Sequence, residues 1–99
     1  MIKIYMKLNT DHPEYIDAFA YVKRSKNRQQ VIQVLSKGRK TPNDIVEKMD
    51  ARFSLISRTL SELKDKNIVE CINEHDRVGR IYRLTDIGIQ ISEELENAE

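Results

Sequence analysis

The chain has 99 residues and a mass of 11.6 kDa, room for one domain with a single modest core. Apolar residues make up 39% and charged residues 33%, and the longest apolar run is the five residues Ala18 to Val22, which excludes a membrane-spanning helix. The net charge of +1 is unevenly spread: residues 1–22 carry −1, residues 23–66 carry twelve bases and five acids, or +7, and residues 67–99 carry −5.

A basic centre in a balanced chain suggests a local surface for a polyanion, and by charge alone a solvated basic face accounts for it equally well. Met1 leads into a charged, alternating stretch without a hydrophobic block, so no secretory signal is expected. The single Cys71 cannot form an intramolecular disulfide or a cysteine-rich metal site. A soluble cytoplasmic protein is the expectation.

Ile2, Ile4, Met6 and Leu8 alternate with Lys3, Tyr5 and Lys7, a period of two that predicts a strand with one buried face. Asn9 to Pro13 breaks it. Glu14 to Val22 then reads as a short helix, with Ile16 and Phe19 as its apolar residues and Tyr15 and Val22 as further candidates. Ser25 is placed to cap a helix over about Lys26–Lys37, with Arg28, Val31, Ile32 and Leu35 on one face. Nothing between Tyr21 and Ser25 forbids its fusion with the helix before it. Gly38 supplies the left-handed stop.

Thr41-Pro42-Asn43-Asp44 starts a two-turn helix: Thr41 caps, Pro42 suits the first helical position, and Asp44 opposes the helix dipole. Its apolar stripe is Ile45, Val46 and Met49. Asp50 to Phe53 is a tight connection, after which Ser54 is expected to cap a helix to about Lys66 with Ile56, Leu60 and Leu63 toward the core. Asn67 takes its left-handed terminal position. Val69 to Asn73 and Ile81 to Leu84 read as a hairpin joined by the polar loop Glu74–Gly79. Thr85 caps a last helix carrying Ile87, Ile91 and Leu95 at four-residue spacing, with Ile89 off that stripe.

Two short helices joined by a tight turn and backed by a third make a helix-turn-helix, and the hairpin that follows is a wing. On Thr41-Pro42-Asn43-Asp44-Ile45, Ser57-Arg58-Thr59-Leu60-Ser61-Glu62-Leu63, Asn67-Ile68-Val69-Glu70 and Gly79-Arg80-Ile81-Tyr82-Arg83-Leu84-Thr85, residues 25–84 resemble a known domain. It is the winged helix-turn-helix of prokaryotic transcription regulators, of the ArsR and MarR type and especially the small archaeal ones. The resemblance implies an α+β, mostly helical fold. It implies residues 1–24 as an N-terminal strand–helix extension, 25–84 as the DNA-binding domain, and 85–99 as a C-terminal helix that serves dimerisation. It implies a sequence-specific regulator that binds double-stranded DNA as a homodimer, since two half-sites multiply specificity. Winged helices also serve as protein-interaction modules in larger complexes, or as RNA or replication modules, so the fold leaves these readings open.

Residue chemistry favours DNA. Opposite the core stripe of the Ser54 helix stand Ser54, Ser57, Arg58 and Ser61. Small hydroxyl residues let a helix enter a major groove, and Arg58 can fork onto guanine O6 and N7. A protein-binding helix would more often expose Leu, Phe or Met there. Arg52 lies at the positive end of this helix, where a phosphate would be held. Arg24, Lys26 and Arg28 cluster at the start of the first core helix, and Lys40 and Thr41 lie beside Gly38, which Lys37 and Arg39 also flank; these are the other candidates for the DNA backbone. Arg28 also sits on an apolar stripe, where its stem can pack. In the wing, Arg77 and Arg80 suit an adjacent minor groove or its phosphates, beside His75.

Other chemistry finds little support. His12 and His75 are the only histidines, and the clustered cysteines or paired histidines of metal-sensing ArsR relatives are missing from the sequence. Cys71 shares a strand face with Val69 and is read as a small buried residue. Only Gly38, Gly79 and Gly88 occur, so there is no glycine-rich phosphate loop. Neither an enzyme nor a cofactor is expected. For dimerisation two apolar surfaces are candidates: the Ile87, Ile91 and Leu95 stripe, or the first strand with Ile16 and Phe19.

Overall fold

A computed structural model describes residues 9–97. The predicted strand of Ile2, Ile4, Met6 and Leu8 lies outside the described residues. Helix α1 (Pro13–Lys23) starts one residue ahead of expectation, because His12 caps it: Nδ1 accepts from the Glu14 amide at 3.2 Å. Its inward face is Tyr15, Ala18 and Val22. Ile16, the apolar residue also named as a candidate dimer contact, falls one residue off that face and is 50% exposed, while Phe19 is half-buried and stacks on Tyr15 at 5.8 Å. Burial is the first cause that pushes the Tyr15 hydroxyl up to about 12, and Glu94 and Glu93 add to it.

Ser25 is extended, with φ −142°, so α1 and α2 (Lys26–Leu35) remain separate helices; its hydroxyl accepts from the Arg28 amide. Val31, Ile32 and Leu35 are buried, and α2 touches α1, α3, α4 and α5. It ends at Leu35, earlier than predicted, and Gly38 at φ +131° turns the chain so that Lys40 pairs with Tyr82 through both backbone groups, at 3.0 and 2.8 Å.

Helix α3 (Pro42–Met49) has the predicted start, completed as a reciprocal box: the Asp44 amide donates to Thr41 Oγ1 at 3.1 Å, and the Thr41 amide donates to Asp44 Oδ2 at 3.0 Å. Asp50 is left-handed at φ 51° and closes α3 without a glycine. That residue turns the chain early. Helix α4 (Phe53–Asp65) therefore starts ahead of the predicted cap: Arg52 is the N-cap, with no side-chain cap bond, and Ser54 is already inside the helix. Asn67 ends the segment at φ 60° as expected.

Strands β1 (Val69–Cys71) and β2 (Tyr82–Leu84) pair antiparallel, Val69 with Leu84 and Cys71 with Tyr82, and are shorter than predicted. The Ile72 amide extends the ladder to the Ile81 carbonyl at 2.9 Å. Helix α5 (Asp86–Asn97) starts at Thr85, whose hydroxyl accepts from the Gly88 amide and donates to the backbone of Asn67 and Ile68. Gly88 has to be a glycine for a different reason: a Cβ there would stand 2.2 Å from the Ile68 carbonyl oxygen.

One apolar cluster joins all of these elements. It runs from Tyr15, Ala18 and Val22 through Val31, Ile32, Ile45, Ile56, Leu60 and Leu63 to Ile68, Leu84, Ile87, Ile91 and Leu95. Fully burying each large aliphatic side chain contributes about 1.5–3 kcal/mol. The architecture is α+β, with a helix-turn-helix in α3 and α4 backed by α2, and a two-stranded wing: a winged-helix fold.

Candidate nucleic-acid interface

Helix α4 is held on its inner side by Ile56, Thr59, Leu60 and Leu63, all buried against α2 and α3. Thr59 is the polar member: its hydroxyl accepts from Asn27 Nδ2 at 2.7 Å and donates to the Leu55 carbonyl at 2.8 Å. With the inner side fixed, Ser54, Ser57, Arg58 and Ser61 are exposed together on the outer side. Arg58 makes no hydrogen bond or ion pair among the described residues, so its guanidinium is free to meet a ligand. The same side holds one surprise. Phe53, read from sequence as part of the connection, is the first residue of α4 and is 53% exposed.

The predicted backbone-binding residues divide by how far the protein already uses them. Arg28 is engaged: its guanidinium lies 3.7 Å from the centre of the Tyr21 ring and donates to the Tyr21 carbonyl at 2.8 Å. Lys66 also reaches that ring, at 5.1 Å, so Tyr21 gathers two cations where α1, α2 and α4 meet. Thr41 is occupied by its cap. Arg24 donates Nε to the Ala20 carbonyl at 3.2 Å, while Lys40 donates Nζ to the Gly38 and Arg39 carbonyls through longer bonds of 3.4 and 3.5 Å. Lys26 and Arg52 are exposed at the starts of α2 and α4.

The wing loop is built around Asn73, which sequence reasoning passed over. Its amide donates to Asp76 Oδ2 at 2.9 Å and to the Gly79 carbonyl at 3.0 Å, and its oxygen accepts the Ile81 amide at 2.7 Å. Arg80 folds back onto the same loop, donating to the Asp76 and Glu74 carbonyls. Glu74 pairs with Lys64 and so ties the loop to α4. The hydrogen bond from Lys64 is the main cause that holds the Glu74 carboxyl below its usual range, and the same bond raises Lys64. Arg77 and His75 are exposed at the tip, beside Val78 at 88% exposure. Only an Asn followed by turn residues hinted at this arrangement, and nothing local marks its partners.

Two further expectations meet the geometry differently. Cys71 is half-buried with Sγ 3.5 Å from Asn73 Oδ1, rather than enclosed in apolar packing. Ile87, Ile91 and Leu95 are 7%, 0% and 4% exposed within a single protomer. Their stripe faces the protomer's own core, so it offers no free face to a second copy, and Ile89 beside it is half-buried. Among the described residues no group of three or more His, Cys, Asp or Glu could hold a metal ion, and no helix is long and apolar enough to cross a membrane.

What this surface can do is bind a polyanion in two places: an outer helix face of hydroxyls with one free arginine, and a loop tip with another. Solved structures share the scaffold. A mutant of ZitR from Lactococcus lactis aligns with a TM-score of 0.66 at 15% identity, over 74% of this chain and 51% of that one. The same mutant in apo form aligns with a TM-score of 0.65 at 17% identity, over 84% of this chain and 68% of that one. At such identity the likeness is one of fold, and the chain spans about half the length of the first of them. No curated protein matches the sequence. The HVO_A0261 N-terminal domain matches residues 16–99, nearly the whole described fold from within α1 onward, and the chain belongs to that family.

Proposed function

We propose that the chain binds double-stranded DNA sequence-specifically, as a homodimeric transcription regulator. The observation that carries this reading is the outer face of α4, where Ser54, Ser57 and Ser61 surround an uncommitted Arg58 on the second helix of a helix-turn-helix. Its serines are small, as entry into a major groove requires, and the face presents donors and acceptors to base edges. Lys26, Lys40, Arg52 and Arg24 hold phosphates around it, and Arg77 with His75 reaches the neighbouring groove from the wing. Arg28, Thr41 and Arg80 support those contacts from within the fold. The second copy sits against α1, where Ile16 is exposed and Phe19 half-buried.

Fluorescence anisotropy of labelled duplexes across a salt series tests the reading. Neutralising about four to eight phosphates per dimer gives a slope of log K against log salt of about −4 to −7. No duplex binding at low salt overturns it. The exposed Phe53 favours a second reading, a protein-interaction module, which predicts salt-insensitive capture of a protein partner in place of DNA.

A further inference from the structure

We propose that Phe53 is a specificity-determining residue whose ring packs against the 5-methyl group of a thymine in the major groove. The proposal rests on the DNA-binding reading and adds the chemistry of one base contact.

The first residue of α4 is an aromatic ring that the fold does not bury: Phe53 is 53% exposed. Four residues along, on the same edge of the helix, stands the exposed Ser57, which borders the Ser54, Arg58 and Ser61 face. Arg52 precedes the ring as the N-cap, its side chain unused in capping. The ring is therefore an exposed apolar group on a helix edge shared with hydroxyls and next in sequence to an arginine, at the end of the helix that would enter a groove first.

That setting discriminates among occupants. The described residues expose three large apolar side chains, Ile16, Phe53 and Val78, and they sit on α1, α4 and the wing loop respectively. Phe53 is thus the one exposed large apolar side chain described on α4, and the exposed residues next to it in sequence, Arg52 and Ser54, are polar, so what it offers a partner is a single apolar feature in a mainly polar setting. A polyanion with a single apolar feature fits both the ring and its cationic, hydroxylic surroundings. The thymine methyl is that feature: it is the apolar group on the major-groove edges of the base pairs, and phenylalanine is one of the side chains that contact it. The minor groove offers no methyl.

The test is substitution of deoxyuridine for thymine, which deletes the methyl and keeps every hydrogen-bonding atom. Sites are first selected from random duplex DNA with the intact chain, and each thymine of the half-site is then replaced in turn. Wild-type protein should lose about fourfold in affinity at one thymine per half-site, the worth of one buried methyl. Phe53→Ala should bind thymine and uracil duplexes equally, and Phe53→Leu should keep part of the preference. Because the ring is exposed, both variants should melt like wild type. Duplex binding with no thymine preference, or a preference that survives Phe53→Ala, overturns this proposal and leaves the DNA reading standing. A Phe53→Ala protein that changes its oligomeric mass assigns the ring to a subunit contact and overturns it as well. Failure to bind any duplex overturns the DNA reading itself.

Discussion

The side-chain amide of Asn27 donates to the hydroxyl of Thr59 at 2.7 Å, tying the first turn of α2 to the middle of α4 across 32 residues of sequence. Thr59 is 2% exposed, and its hydroxyl in turn donates a hydrogen bond to the Leu55 carbonyl. The bond from Asn27 adds a polar tie to the packing of Ile56, Leu60 and Leu63, which together hold the inner side of α4 and leave Arg58, the sequence neighbour of Thr59, exposed. Thr59→Val keeps the shape and removes both functions, leaving the half-buried Asn27 amide without its acceptor. It should cost about 1–3 kcal/mol of stability in urea denaturation, and Thr59→Ser should recover most of it.

Gly88→Ala should destabilise the protein although alanine is the better helix former by about 1 kcal/mol. The new Cβ would lie 2.2 Å from the Ile68 carbonyl oxygen and 3.1 Å from Leu84 side-chain atoms. Relief requires α5 to move off the hairpin, loosening the Thr85 bonds to the same Ile68 carbonyl. Overpacking of this kind costs about 1–3 kcal/mol beyond the propensity gain. An unchanged or raised melting temperature would show that α5 can shift away from Ile68 and Leu84 without loss.

The starts of α2, α3 and α5 were legible because each uses residues within a few positions: Ser25 with Arg28, Thr41 with Asp44, Thr85 with Gly88. The start of α4 was not, since Asp50 rather than a glycine adopts the left-handed turn and moves the helix two residues ahead of its serine. The Ser57–Arg58–Ser61 face was legible as the complement of the Ile56, Leu60 and Leu63 stripe. Phe53 was not, because a stripe says which residues point inward and nothing about which apolar residue at a helix start is left over. The Ile87, Ile91 and Leu95 stripe was legible as an apolar face but was assigned to a second copy, because periodicity is blind to whether the covering partner is the same chain or another; here it is the same chain. Asn27 with Thr59, and Asn73 with Ile81, join residues too far apart for any local pattern.

The capping box makes stability depend on acid. The backbone amide of Thr41 is the first cause that holds the Asp44 carboxyl below its ordinary 3.8, followed by the Thr41 side chain, with Lys40 adding to it. A carboxyl depressed in the folded state contributes stability above its unfolded value and loses it as pH falls through the folded one. Asp44→Asn should therefore melt lower than wild type near pH 6, and the gap should close as pH is lowered below 4. A gap that is constant with pH would mean that the charge of Asp44 is idle.

Burial of the α5 stripe changes what a truncation reports. Removing the chain from Ile91 onward takes Ile91 and Leu95 out of the protomer core, and each loss alone is worth about 2–5 kcal/mol by analogy with large-to-alanine changes. That truncation should unfold the protein and so cannot map an interface. Ile16→Glu, at an exposed position on α1, is the informative change. Sedimentation equilibrium should find the intact chain dimeric and Ile16→Glu monomeric with its helical circular dichroism retained. A dimeric Ile16→Glu would move the interface off α1, and a monomeric wild type would remove the homodimer from the reading.

Arg58→Ala separates base reading from charge. Arg58 stands on the outer face of α4 between Ser54 and Ser61, without a hydrogen bond or ion pair among the described residues, and its planar fork matches O6 and N7 of a guanine. If it reads a base, the variant should lose about 1–3 kcal/mol on a selected site, relax the sequence preference at one position, and bind random duplex nearly as before. Lys26→Ala offers the contrast: a phosphate contact should weaken selected and random duplexes alike and lower the salt slope by about one unit. Arg58→Ala is expected to melt like wild type, because among the described residues that side chain makes no hydrogen bond or ion pair. Equal loss on selected and random DNA would place Arg58 on a phosphate and leave Ser54, Ser57, Ser61 and Phe53 to carry the recognition.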